Sequence, residues 1–137
     1  MNNKTILIPS DGTQRTEQII DFICSIGNML SLKIIVAYVI EVPRDMPLHS
    51  SIPGSDSKAN DAIKHALSIA FRHDIRIETT KIFARNADDC IISTAQEMKC
   101  DIIALAHESA KYKFVTSPSM NIYQRAKCDV WLFNNKD

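Results

Sequence analysis

The sequence has few glycines and lacks several patterns that would identify its chemistry directly. Of its 137 residues only three are glycine, and none follows Gly54. The four cysteines form no C-x-x-C pair, so the spacings of common metal and redox motifs are absent. No two histidines share a metal-ligand spacing, and no Ser-His-Asp or Cys-His-Asp arrangement indicates a nucleophilic enzyme. We therefore expect no bound metal and no catalytic residue.

Strong net charge and long apolar runs are also absent. Sixteen basic and sixteen acidic residues give a formal net charge of zero, so we expect no nucleic-acid partner. No apolar stretch approaches the roughly 20 residues needed to cross a bilayer, and the beginning of the chain shows no signal-peptide pattern. These absences predict a cytoplasmic protein without a membrane partner. The length predicts one domain over residues 1–137.

Short apolar runs alternate with helical patterns along the chain. Strands are predicted at 5–9, 32–40, 74–84, 101–105 and 129–133, with helices from 16, over 59–73, over 87–99 and from 118. Asn86 and the pair Ser117-Pro118 are helix start signals. The alternation predicts an α/β fold, a single Rossmann-like doubly wound domain with a parallel sheet.

One segment interrupts this alternation. Residues 41–57 hold three prolines, one glycine and a cluster of serines. This composition predicts a long mobile loop, with Ser55 or Ser57 capping the helix that follows.

Three stretches of the chain follow the order of a known α/β family. ILIPSDGT (6–13) has the form of an opening strand and turn, and AYVIEV (37–42) that of a second strand. CDIIALAHE (100–108), together with QRAKCDVWLF (124–133), has the form of the last two strands and the helix between them. In their order and spacing these stretches resemble the universal stress protein family. The resemblance implies a five-stranded parallel sheet of order 3-2-1-4-5 with four helices.

The resemblance also bears on nucleotide binding. The resemblance implies a motif for the family members that bind ATP, which follows the fourth strand. It consists of Gly-x-x-Gly, a spacer of nine residues, and then Gly-Ser or Gly-Thr. Here Ala106 and Ser109 stand at the first two positions and Thr116-Ser117 at the last pair, with only six residues between. The loop is thus three residues short and holds no glycine, which makes it a degenerate nucleotide loop.

The same stretch aligns without a gap with the type-A stress proteins of enteric bacteria, which are understood not to bind ATP. The positions that carry this likeness are His107, Tyr112, Ser117 and Asp129. Physical chemistry points the same way, because a phosphate at a helix start needs free N–H groups. Pro118 has no N–H, and the hydroxyl of Ser117 would occupy another.

These observations favour a type-A stress protein that is non-enzymatic, binds no ATP and has no cofactor. The alternative is a universal stress protein that binds ATP, with magnesium, or AMP at the crevice between strands one and four. Its predicted site residues are Pro9, Ser10, Asp11, Val39, Leu105, Ala106, Thr116 and Ser117. A metabolic enzyme on the same sheet would need a catalytic pair that the sequence does not offer.

Two predicted site positions have a purely structural interpretation as well. Asp11 could lie in a nucleotide pocket, or it could form the turn that caps the first helix, which we favour. His107 is the one histidine near the fourth strand, and a lone histidine at a strand end is more often structural than a general base.

The last strand and the cysteines give two further predictions. Val130, Trp131, Leu132 and Phe133 form an apolar strand that would aggregate if left uncovered at a sheet edge. Members of the family typically dimerise through this strand, so we expect a homodimer centred there; the alternative is cover by the molecule's own helix. The cysteines are expected to be small buried thiols. Cys100 and Cys128 both open strands and could lie close enough to form a redox pair.

Overall fold

The computed structural model describes residues 3–47, 55–107 and 118–134. Strands and helices alternate as β1 (Lys4–Ser10), α1 (Gln14–Gly27), β2 (Leu32–Glu41), α2 (Ser55–Arg72), β3 (Ile77–Ala84), α3 (Ala87–Glu97), β4 (Ile102–His107), α4 (Pro118–Arg125) and β5 (Asp129–Asn134). The strands pair in parallel in the order β3-β2-β1-β4-β5. The predicted fold class, strand order and four helices are confirmed.

The sheet is covered on both faces, which explains the continuous apolar runs of its central strands. In β1 the side chains of Ile6, Leu7 and Ile8 are all fully buried. Ile6 and Ile8 pack with α1 and α2 on one face. Leu7 packs with α3 and α4 on the other face. A strand that is buried on both sides has no polar alternation, so its sequence shows an unbroken hydrophobic run.

Several helix and strand ends differ from the predicted ones because of local backbone geometry. β3 begins at Ile77 rather than at residue 74, because Asp74 has a φ of 53° and closes the turn that ends α2. α3 ends at Glu97 rather than near Lys99, whose φ of 54° cannot continue a helix. β1, β2, β4 and β5 are each one or two residues longer than predicted, β4 starts at 102 rather than 101, and α1 begins two residues before its predicted start.

The predicted loop 41–57 needs correction at both ends. Glu41 still belongs to β2, and α2 already begins at Ser55, so Ser57 lies inside the helix and caps nothing. The described part after β2 is held by hydrogen bonds: Arg85 donates to the carbonyl oxygens of Pro43 and Met46. Residues 48–54 lie outside the described residues, so the prediction of mobility stays untested there.

Candidate functional site: a crevice at the carboxyl edge of the sheet

The chain leaves the carboxyl ends of β1 and β4 in opposite directions, and a crevice opens between them. From β1 the chain crosses to β2 on one side, while β4 is followed by β5 on the other. Such a switch point is where open α/β sheets bind their ligands. A cavity of about 260 Å³ lies there. Six of the predicted site residues line it: Pro9, Ser10, Asp11, Val39, Leu105 and Ala106. Thr116 and Ser117 lie outside the described residues.

The turn after β1 is built from side chains that bond to its own backbone. The buried Ser10 hydroxyl accepts a hydrogen bond from the Gly12 amide over 3.1 Å, and Gly12 has a φ of +80°. Asp11 Oδ1 accepts from the amide and hydroxyl of Thr13, over 2.9 and 2.6 Å, and from the Thr16 hydroxyl over 3.2 Å. Asp11 therefore orders the turn while also lining the crevice.

The predicted capping role of Asp11 needs correction. Thr13, not Asp11, occupies the position before α1, and the Thr13 side chain makes no capping bond to the helix. Asp11 instead fixes the turn that leads into the helix, and its place in a nucleotide pocket stays a prediction.

Sequence reasoning missed part of the lining. The cavity also contacts Thr16, Glu41, Ala87, Asp88, Ile91, Pro118, Ser119 and Ile122. Three carboxylates, those of Asp11, Glu41 and Asp88, thus border the cavity, and the described lining contains no lysine or arginine. Asp88 Oδ2 accepts a hydrogen bond from Asn121 over 2.9 Å, which joins α3 to α4. Only the strand order could have indicated these residues. In a parallel sheet of this order, the end of β2 and the start of α3 both lie at the carboxyl ends of the strands, next to β1.

His107 connects three elements at the end of β4. Its carbonyl oxygen accepts a 2.8 Å hydrogen bond from Arg15 Nη2 on α1. Its ring Nδ1 lies 3.3 Å from the Ser119 hydroxyl on α4. These contacts agree with the structural interpretation of this histidine.

β5 is partly covered by the molecule itself. Trp131 and Phe133 pack against the cluster that includes α1, and Val130 packs against the opposite cluster. Leu132 remains 36% exposed. The other side of β5 has no hydrogen-bonded strand within the described residues. The helix cover that we weighed as the alternative therefore exists in part on both faces, while Leu132 and the strand edge stay open.

The four cysteines carry free thiols, but only two of them are buried as predicted. Cys24 and Cys100 are buried, whereas Cys90 and Cys128 are half-buried. Cys100 and Cys128 line a second cavity, of about 320 Å³, at the amino ends of the strands. Across residues 3–47, 55–107 and 118–134, no three metal-ligating side chains are grouped to hold an ion. No helix in the same ranges is long and apolar enough to cross a membrane.

Comparison with solved structures supports the fold. A universal stress protein in complex with cAMP superposes with a TM-score of 0.78 at 17% identity, covering 98% of each chain. The protein from Archaeoglobus fulgidus in complex with dAMP gives a TM-score of 0.74 at 16% identity, covering 96% of this chain and 98% of its own. A family protein from Arabidopsis thaliana with AMP bound gives 0.70 at 9%, covering 97% and 92%.

Comparison of sequences assigns the chain to a family. No curated protein matches it. The model of the universal stress protein family matches residues 2–134, which is nearly the whole chain. The chain belongs to the universal stress protein family.

Proposed function

We propose that this chain is a stress-response protein of the type-A kind, a cytoplasmic, non-enzymatic homodimer that does not hold ATP. The observation that carries the nucleotide part is the charge of the crevice. Three carboxylates and no basic side chain border its described part. ATP brings several negative charges, and like charges at close range oppose one another. A phosphate would also need cations, and the described lining contains no lysine or arginine.

The helix start beside the crevice supports the same proposal. α4 begins with Pro118, which has no N–H, and a helix start offers its anion affinity mainly through such groups. Ser119, in the first turn, is buried, and its hydroxyl lies against the His107 ring. Pro118 therefore offers no amide to a phosphate, and the Ser119 hydroxyl already contacts His107.

A second candidate function is binding of AMP or ATP in the same crevice. Two observations favour it: the six predicted residues meet around one cavity, and three structural relatives hold cAMP, dAMP or AMP. The carboxylates of Asp11 and Glu41 could accept hydrogen bonds from the hydroxyls of a ribose. The polar edge of the cavity thus suits a nucleoside better than it suits phosphates.

Thermal melting with matched ligands tests the nucleotide proposal. We expect no rise in melting temperature with millimolar ATP and Mg²⁺, whereas a ligand at 100 times its Kd would add about 2.7 kcal/mol. Adenosine, which has no phosphate, serves as the matched ligand. A rise with adenosine alone supports exclusion of phosphates by the acidic lining. A rise with ATP that disappears in Val39→Trp, which fills the cavity, would overturn the proposal in favour of the second function.

The dimer proposal rests on the difference between the two edges of the sheet. β3, at one edge, carries exposed Glu78 and Lys81, and charges of this kind protect an edge from pairing. β5, at the other edge, has only apolar side chains from Val130 to Phe133, with Leu132 exposed. A second copy of β5 is the partner that suits such an edge, because it would pair the free backbone groups of both strands.

Sedimentation of matched variants tests the dimer. We expect the wild-type protein to sediment as a dimer at micromolar concentration and Leu132→Lys to sediment as a monomer. Thr80→Lys, which places the same charge on β3, should remain dimeric. A monomeric wild-type protein, or a dimer that Leu132→Lys leaves intact, would refute the interface. Cell fractionation checks the cytoplasmic location, and recovery with the membrane pellet would contradict it.

A further inference from the structure

Cys100 and Cys128 lie just before two neighbouring strands, two residues ahead of β4 and one residue ahead of β5. β4 and β5 pair with Ile102 opposite Asp129, and the Asp129 amide donates to the Asp101 carbonyl over 3.2 Å. Continuing this register back by one residue places Cys128 opposite Asp101, one position from Cys100. Neighbouring strands lie about 4.8 Å apart, so the residues just before β4 and β5 are neighbours in space, and the two thiols are near enough for Cys128 to raise the pKa of Cys100. Disulfides span roughly 4.4–6.8 Å between Cα atoms.

The two thiols also share one side of the sheet and one cavity. Cys100 belongs to the cluster packed under α3 and α4, and Cys128 packs against that cluster. Both line the 320 Å³ cavity, together with the apolar residues Ile92, Ala95 and Ile103. Gln96, Lys99 and Lys127 also line this cavity. A small oxidant that enters the cavity therefore meets both sulfur atoms, with half-buried Cys128 the more accessible of the two.

The surroundings of the pair make its thiols slow to react. Burial raises the pKa of the Cys100 thiol, and the neighbouring Cys128 and Asp101 raise it further. Burial raises the pKa of Cys128 too, with Asp129 adding to the effect. Because the thiolate is the nucleophile, a raised pKa leaves little reactive sulfur at neutral pH. Oxidation should therefore be slow at pH 7 and faster as the pH rises.

We propose that Cys100 and Cys128 form an oxidation site, in which a peroxide converts the two thiols into one intramolecular disulfide. The Cys128 thiolate attacks the O–O bond, becomes a sulfenic acid and releases hydroxide, which takes up the thiol's proton to form water. The Cys100 sulfur then attacks the sulfenic sulfur, and the S–S bond forms as a second water leaves with the Cys100 proton. Two thiols are oxidised by two electrons and one peroxide is reduced to two waters.

The disulfide would tie the edge strand to its neighbour. It would close a covalent ring running from Cys100 through β4 and α4 to Cys128, and so restrict the unfolded chain. The segment before β5 would then be bonded to the segment before β4, at the amino ends of the strands and away from the crevice. The inference is independent of the nucleotide proposal. The two cavities lie at opposite ends of the strands and share no residue.

Oxidation of the full chain by hydrogen peroxide tests the inference. The intact mass should fall by about 2 Da, the loss of two hydrogens, and thiol titration in denaturant should fall from four to two. Digestion without reductant should yield one linked peptide pair containing Cys100 and Cys128. Oxidised protein should melt at a higher temperature, and dithiothreitol should reverse the rise. The double variant C24S/C90S should react like the wild-type protein, while C100S and C128S should each form no intramolecular disulfide.

Other products would overturn the inference. A linked peptide containing Cys24 or Cys90, a disulfide between two copies of the chain, or a sulfinic acid at Cys128 as the sole product would each do so. Peptide mapping of the wild-type protein settles the outcome even if C100S folds poorly, because it requires no variant.

Discussion

The ring of Phe22 on α1 meets the ring of Phe133 on β5 edge to face, with centroids 5.7 Å apart and planes inclined by 67°. This pair is one contact by which the first helix packs against the edge strand. Aromatic pairs of this geometry contribute about 0.5–1.5 kcal/mol beyond the area they bury. We expect a double-mutant cycle of Phe22→Leu and Phe133→Leu to give a coupling energy in that range, measured by urea unfolding. Additive losses would show that the rings do not interact.

Gly12 gives a prediction about the turn at the crevice. Its φ is +80°, and an added Cβ would lie 3.3 Å from Tyr38 Cε2. Both the backbone strain and the close contact oppose a side chain, so Gly12→Ala should lower the free energy of unfolding by about 1–2 kcal/mol. Gly12→Asn should lose less, because asparagine tolerates the left-handed region. Equal stability of Gly12→Ala and the wild-type protein would contradict the role of this turn.

The Asn86 side chain caps α3, and we expect this cap to contribute measurably to stability. Its Oδ1 accepts a 3.0 Å hydrogen bond from the Asp89 amide, which has no partner within the helix. Asn86→Ala should cost about 1 kcal/mol of unfolding free energy. Asn86→Asp keeps an acceptor at the same place and serves as the control. If the two variants are equally unstable, the loss comes from something other than the cap.

The alkaline limit of stability should depend on Cys24. Its side chain is 2% exposed, and burial, together with the nearby charge of Asp21, raises its pKa from 9.0 to about 11. The folded state therefore favours the neutral thiol. This contribution is complete below pH 9 and is lost as the pH rises from 9 through about 11. Two pKa units set an upper limit of about 2.7 kcal/mol.

Urea unfolding in the presence of reductant checks this dependence. Between pH 9 and 11 the wild-type protein should lose stability more steeply than Cys24→Ala, which has nothing to ionise at that position. Cys90→Ala, a half-buried position on α3, should follow the wild-type slope. Identical slopes for the wild-type protein and Cys24→Ala would contradict the raised pKa.

The sequence was sufficient to predict the order of the elements but not where each one ends. The run Ile6–Ile8 has no polar alternation because both faces of the strand are buried. The unbroken apolar run can be recognised from the sequence alone. The limits of β3 and α3 depend instead on Asp74 and Lys99, which adopt positive φ although neither is a glycine. The start of α2 was missed because its first turn, from Ser55, is polar and lacks an apolar period.

The crevice was predictable where its residues end the strands next to each other in the sheet. Ser10 and Ala106 follow directly from the pairing of β1 with β4. Glu41 and Asp88 could not be assigned to it from their neighbours in the chain, because their closeness depends on β2 and α3 meeting at the same edge. The acidic character of the described lining, on which the proposal about its ligand rests, therefore became apparent only in three dimensions.

The unequal edges of the sheet would limit how far the proposed assembly through β5 could proceed. Pairing through β5 would use the one apolar edge of each copy and leave only two charged β3 edges facing outward. A third copy would then find no edge suited to strand addition, so growth would stop after the first association. The β5 edge, which favours aggregation of the isolated chain, would thus be used up in the first pairing. The product would be a closed particle with two-fold symmetry rather than a fibre.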